Sequence, residues 1–336
     1  MILPAIASLI VAFPSDGARL PAVRNCYVIG ATRPGETNVV VAGKNVPVYK
    51  TGAWSTIVPV AAGTNTIPVA CGGETNSVKV LVPETAEKPF PGLAALAAGT
   101  NIAPIAATNR WKKLAYASDT PAPHPFGKAP GETTIVIDPG HGGGDTGALS
   151  PHAFPEKDAN LRVARETRKA LEKLGYKVVM TRDTDVAVEL YERPKAAHTN
   201  EAAAFVSIHH NAPAIDRDPT GLRYSAVYAW NGTDRGLARE IAASVAKELE
   251  GEIPSKGVLS ANFAVTRNPE IPSCLVEVDF ITSPEGEEAA WNTPRRRRVG
   301  EAIARGIDAW CRKKPKEKNA GGKCSDISEK QGEKNK

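Results

Sequence analysis

Two histidines and two glutamates in the second half of this chain have the types and settings to hold and use a metal ion. His141 stands in the run Asp138-Pro139-Gly140-His141-Gly142-Gly143. Glycines on either side of it let the backbone turn sharply and leave an imidazole uncovered. Glu156 follows in PEKDANL, His209 in Ser207-Ile208-His209-His210-Asn211, and Glu277 in Leu275-Val276-Glu277-Val278-Asp279-Phe280. Two imidazoles and a carboxylate, with a fourth position left for water, are the donor set of a catalytic zinc. Such a zinc brings its water to a pKa of about 7 and polarises a carbonyl. A further carboxylate that does not ligate can then carry the water's proton to a leaving amine. A glutamate at a helix start ordinarily answers the helix dipole. One inside an apolar strand, as Glu277 is, is costly to bury without a partner.

The elements that must position these residues alternate between strand and helix from Thr133 onward. TIVIDP reads as a short, fully apolar strand. Asn160–Leu174 puts Leu161, Ala164, Leu171 and Leu174 on one helical face, and Gly175 stops it. Strand Lys177–Thr181, helix Glu189–Ala197, strand Phe205–His209, strand Tyr224–Trp230 and helix Asp234–Leu249 come next. Strand Cys274–Asp279 follows, and then a last helix with Val299, Ile303, Gly306, Ile307 and Trp310 inward. Alternation of this kind predicts a three-layer α/β domain around a mostly parallel sheet. Reacting groups in such sheets gather at the carboxyl ends of the strands, where His141, His209 and Glu277 fall.

The same stretch, from Thr133 to Cys311, resembles the zinc-dependent N-acetylmuramoyl-L-alanine amidases of the Amidase_3 type. The matching phrases are IDPGHGGGDTGA (137–148), EKDANL (156–161), GYKVVMTRDTD (175–185), FVSIHHNA (205–212) and LVEVDFITSPEGE (275–287). The resemblance implies a Zn2+ ion held by His141, Glu156 and His209, with Glu277 as general base. It implies as substrate the lactyl-L-alanine amide of peptidoglycan, and a periplasmic or secreted protein. Asn211 and Arg193 stand as substrate contacts, with orientation of a metal ligand open for Asn211 and an ion pair open for Arg193. The family commonly has glycine where this chain has Asp279. Two residues from Glu277, that acid is expected on the same strand face, raising the base's pKa or ligating something itself. His210 is expected to point away from His209, and His152 to reach substrate. His198 and His124 are expected at the surface, and Arg295–Arg298 as a charged helix face. The stretch from His209 to Glu277 is too short for a helical plug, since Val258, Leu259 and 263–266 are needed to cover the sheet. The zinc site is therefore expected to be open, with targeting left to the N-terminal half.

Residues 1–84 read differently, as short strands at regular spacing with turn chemistry between them. The strands are Leu9–Phe13, Arg24–Ile29, Asn38–Val41, Val46–Tyr49, Trp54–Val60, Thr66–Ala70 and Ser77–Val82. The pattern predicts a small all-β sandwich, and its phrases resemble bacterial immunoglobulin-like modules that act as spacer or wall contact. Met1 to Ala7 read either as signal remnant or as part of the first strand. Residues 85–130 form an Ala/Pro-rich linker in which Trp111–Tyr116 could dock. Residues 131–312 are the catalytic domain, and 313–336 a disordered basic tail. From Arg312 onward nine basic residues stand against four acidic ones, an excess equal to the whole chain's +5. The rest is neutral overall, and no basic patch with interleaved aromatics suggests nucleic acid. No apolar run reaches the length of a membrane span, and a monomer is expected. Cys26 and Cys71 read as a disulfide in an exported protein or as two buried thiols. A wall-binding protein without activity and a zinc peptidase on wall peptides are the rival functions.

Overall fold

The computed structural model describes residues 8–84, 125, 127–230, 235–268 and 270–313. Met1 to Ala7, Trp111–Tyr116, His124 and most of the basic tail lie outside them.

The N-terminal strands are β1 (Ile10–Phe13), β2 (Ala18–Arg19), β3 (Asn25–Ala31), β4 (Asn38–Val41), β5 (Lys44–Pro47), β6 (Ala53–Pro59), β7 (Gly63–Cys71) and β8 (Glu74–Val82). They form two sheets, ordered β1-β3-β6 and β2-β8-β7-β4-β5. Strict alternation in β7 and β8 sends Ile67, Val69, Val78, Val80 and Val82 inward and their polar neighbours outward. Those side chains meet Cys26, Val28, Trp54 and Val58 in one apolar core. Cys26 and Cys71 are both free and buried. Of the two readings the sequence left open, the structure takes the thiol one.

In the second half the strands are β9 (Thr134–Pro139), β10 (Lys177–Met180), β11 (Ala204–Asn211), β12 (Ser225–Ala229), β13 (Ser255–Ser260) and β14 (Ser273–Phe280). The helices are α1 (Glu156–Lys173), α2 (Glu192–Thr199), α3 (Gly236–Glu248), α4 (Pro284–Trp291) and α5 (Thr293–Arg312). The sheet order is β10-β9-β11-β14-β12-β13. All neighbours are parallel except β12 and β14, which run antiparallel. The mostly parallel expectation therefore holds. Ile135 and Ile137 face a large core with α1, α3 and α5, while Val136 faces a smaller one with Ala197, Val265 and Leu275. Period-two alternation divides β9 between these two layers.

Two elements of this half differ from expectation, as does the short β2 in the first, which was not among the expected strands. Val258 and Leu259, read as cover for the sheet, are its edge strand β13. Helix α4 was not anticipated. Its start is nonetheless chemical, for Ser283 caps Gly286 N and Pro284 opens the first turn.

Candidate metal centre

The carboxyl end of β9 enters a tight loop in which His141 takes φ 61°, a left-handed conformation that costs a non-glycine residue energy. Two buried arginines hold the loop. Arg193 donates to Asp138 Oδ1 at 2.8 Å, Pro139 O at 3.0 Å and His141 O at 2.8 Å. Arg182 donates to Pro139 O at 3.0 Å and Gly140 O at 2.8 Å. The guanidinium of Arg193 is thus spent on the loop, which favours the ion-pair reading over direct substrate contact. Asp138 is fully buried and also accepts from Ser207 Oγ at 2.7 Å, tying β9 to β11.

Loop, helix and strand bring three donors together. Ligand atoms of His141, Glu156 and His209 all lie within 4.8 Å of one another. Glu156 is the first residue of α1, where the helix dipole favours an anion. Its Oε2 lies 3.2 Å from His141 Nε2, and its Oε1 3.0 Å from His209 Nδ1. Ala148 N (3.0 Å), Asn160 Nδ2 (3.0 Å) and His210 N (3.1 Å) also donate to this carboxylate. Burial works against its charge, but the hydrogen bonds from the two histidines win and hold its pKa well below the usual range. Desolvation likewise lowers His141, yet Glu156 and Asp145 overcome it and raise the ring to about 9.

The nitrogens are sorted by their neighbours. His141 Nδ1 sits 2.8 Å from Asp145 Oδ2, which leaves Nε2 for the centre. The ring of His209 lies against Gly140, where a Cβ would come within 2.1 Å of its Cε1 and Nε2. Its Nδ1 is left facing Glu156. Gly147 closes the opposite side, since a Cβ there would stand 2.6 Å from Glu156 Oε2 and 2.8 Å from His141 Nε2. Both walls of the centre must therefore be glycine. His210 is buried beside the centre, and its Nδ1 meets Asn160 Oδ1 at 2.9 Å.

Glu277 lines the same cleft of about 700 Å³, together with Asn211, Ala187–Leu190 and Phe263–Val265. Its Oε2 is buried with no hydrogen-bond partner. Burial pushes the carboxyl up to about 7, Glu156 adds to the rise, and His209 and His141 oppose it. Asn211 lies at the cleft with its Oδ1 accepting from Ala212 N at 2.8 Å. His141 and His209 keep side-chain exposures of 23% and 17%, so the cleft is open to solvent at the centre.

Three expectations fail here. Asp279 does not share Glu277's face. A bulge shifts the β11–β14 register between His209↔Glu277 and Asn211↔Phe280. Asp279 turns instead to Arg223 (2.5 Å) and Arg295 (3.0 Å), fully buried. Arg295 is accordingly buried rather than part of an exposed charged face. His152 is also buried, with Nδ1 2.7 Å from Glu287 Oε2, so it braces the loop before α1 and does not reach substrate. Sequence reasoning had passed over Asp145, Arg182 and Asn160. Of these only Asn160 carried a signal, one helical turn beyond Glu156.

A mostly parallel sheet between two helical layers, with two histidines at its strand ends and a glutamate at the start of α1, and with a second glutamate in the same cleft, forms a donor set that could hold a metal ion. The family model described as N-acetylmuramoyl-L-alanine amidase, Amidase_3, matches residues 135–309, and the chain belongs to that family. It is similar to the N-acetylmuramoyl-L-alanine amidase AmiC of Neisseria meningitidis, 30% identical over 310 residues, covering 80% of this chain and 73% of the relative. A probable cell wall amidase, LytH of Staphylococcus saprophyticus, is 33% identical over 189 residues, covering 56% of this chain and 61% of its own. Among solved structures, the amidase AmiC2 of Nostoc punctiforme superposes with a TM-score of 0.51 at 34% identity, over 54% of this chain and 98% of that one. The catalytic domain of CwlV, an amidase from Bacillus (Paenibacillus) polymyxa, gives 0.50 at 28%, over 53% and 97%.

Proposed function

We propose that the protein hydrolyses the amide between N-acetylmuramic acid and L-alanine in peptidoglycan, with zinc held by His141, Glu156 and His209 and with Glu277 as general base. The observation that carries this is the convergence of three ligand atoms within 4.8 Å beside a buried, unpartnered carboxylate oxygen. Two imidazoles and a carboxylate suit zinc better than magnesium or calcium, which prefer oxygen donors. When bound, zinc supplies Lewis acidity toward the scissile carbonyl and acidifies water to near neutral pH.

The chain's own residues do the rest. Asp145 holds His141 in the orientation that presents Nε2, and Gly140 holds His209 so that it presents Nδ1. Glu277 Oε2 takes a proton from the attacking water and delivers it to the alanine nitrogen as the C–N bond breaks. Burial raises its carboxyl above the usual range, the direction wanted in a group that takes a proton and then returns it. Asn211 borders the substrate path, and Arg193 keeps the His141 loop in place. The reading places the protein in the periplasm or outside the cell. Among the described residues no helix is long and apolar enough to cross a membrane. The immunoglobulin-like identity of the β region, the boundaries at 84, 130 and 312, and a monomeric state belong to the same proposal.

The test is digestion of purified peptidoglycan followed by mass analysis. New alanine amino termini should be released, chelation should stop the release, and zinc should restore it. Cuts between peptide residues, or none from fully metallated protein, would overturn the reading.

A further inference from the structure

Among the described residues the β region touches the second half at the loop that leaves β11 and at helix α4, and both lead into the metal centre. The first is the loop that leaves β11, residues 212–224, whose root at Asn211 lies two residues from His209. β1 stops pairing with β3 at Ile29, and Ile215 O accepts the uncovered Tyr27 N–H at 2.9 Å. The Ile215 side chain packs into the apolar clusters of the β region, against Ala12, Tyr27 and Ile29. At the loop's far end Arg223 binds Asp279, two residues beyond Glu277 on β14.

The second contact is helix α4, which leaves β14. Glu288 accepts from Tyr49 Oη at 2.8 Å and pairs with Lys50 Nζ at 2.9 Å. Its neighbour Glu287 is fully buried and receives Ser150 Oγ, His152 N and His152 Nδ1. Those residues shape the loop that enters α1 at Glu156. One helix therefore links the β region to the Glu156 loop through two consecutive side chains.

We propose that the β region is a positioning part of the catalytic site: seated on the 212–224 loop and on α4, it sets the strand ends that present His209 and Glu277 and the loop that presents Glu156. The inference rests on the roles proposed above for those three residues. A region used only to target the enzyme to its polymer would act on KM for insoluble wall. A positioning part acts on kcat, even toward a small soluble muropeptide.

The experiment uses the full chain with a protease site introduced between Glu84 and Pro125. After cleavage the two pieces should stay together on gel filtration, with kcat on the muropeptide unchanged. Uncut Ile215→Asp should keep its metal and far-ultraviolet dichroism while kcat falls on the order of 10- to 100-fold at similar KM. Ile215→Val should restore it, and cleaved Ile215→Asp should come apart. Should Ile215→Asp fail to fold, Tyr49→Phe with Lys50→Met removes the α4 contact from a half-buried and an exposed position and should lower kcat in the same sense. Cleaved pieces that part while the catalytic piece keeps full kcat overturn the proposal, as does a folded variant at either contact with unchanged kcat. Amide hydrogen exchange over 205–212 and 273–283 reads the contact independently, rising in Ile215→Asp. A wild type that stays protected over these segments, with the rise confined to Ile215→Asp, but cuts no muropeptide would fail the functional reading while leaving the contact standing.

Discussion

At Glu277 a buried carboxylate oxygen without a partner stands beside three donors that have each other. Glu277→Gln keeps the shape and removes the base, so metal content should stay stoichiometric while kcat falls on the order of 10²–10⁴-fold. Loss of metal in that variant would make Glu277 a ligand instead. Gly140→Ala should do the reverse, because a Cβ 2.1 Å from the His209 ring must displace it. Metal should be lost with secondary structure intact, and full metal content in that variant would refute the wall. His210 makes a pH prediction of definite sign. Its burial lowers the ring to about 4, below the unfolded value near 6.5, so the unfolded chain binds the extra proton. The stability it contributes is complete above pH 6.5 and should fall by up to about 3 kcal/mol as pH drops towards 4. His141 and His209 shift the other way, so the quantity to measure is the difference between wild type and His210→Gln in urea unfolding across that range. Of the four central residues, His141, His209 and Glu277 were legible because each interrupts an apolar strand or follows one, and Glu156 because it stands where a helix begins. Asp145 and Arg182 were not, since their roles rest on contacts made across the folded loop and leave no periodic trace.

The alternation of strand and helix, the parallel sheet and the helix faces followed from apolar period alone, since both faces of such a sheet are buried. Helix α4 escaped, and so did two features of the sheet. β13 carries few apolar residues and a glycine at its middle, which is how an edge strand reads. The β14 bulge is a single-residue event that period-two reasoning cannot see, and it reverses the reading of Asp279. That side chain is fully buried between Arg223 and Arg295. Asp279→Ala would leave two guanidinium groups without their shared anion and should cost about 3–5 kcal/mol in urea unfolding. Arg297→Ala, on the exposed side of α5, should change stability by less than about 0.5 kcal/mol. Equal costs for the two variants would argue that Asp279 is not the buried anchor described.

At the scale of the whole molecule, cohesion among the described residues comes from packing and charge rather than covalent staples. Cys26, Cys71, Cys274 and Cys311 are free and buried, and burial pushes the thiol of Cys26 up to about 11. A Cys324→Ser protein should therefore take up no maleimide while folded and four equivalents when unfolded. Its melting temperature should not move with reductant. A disulfide between Cys26 and Cys71 would show as two equivalents and a reductant-sensitive melt. The division into an all-β half and an α/β half was plain from turn spacing and composition. That the halves meet was not, because Ile215 reads as one apolar residue in a polar loop. Its place has a consequence for recombination. A catalytic half whose surface is shaped for one neighbour is not a free cassette. Chimeras that graft a different N-terminal module onto Gly127 would inherit a bare isoleucine and an unmatched Glu288. They should be recovered less soluble than the parent unless Ile215 is changed along with the graft.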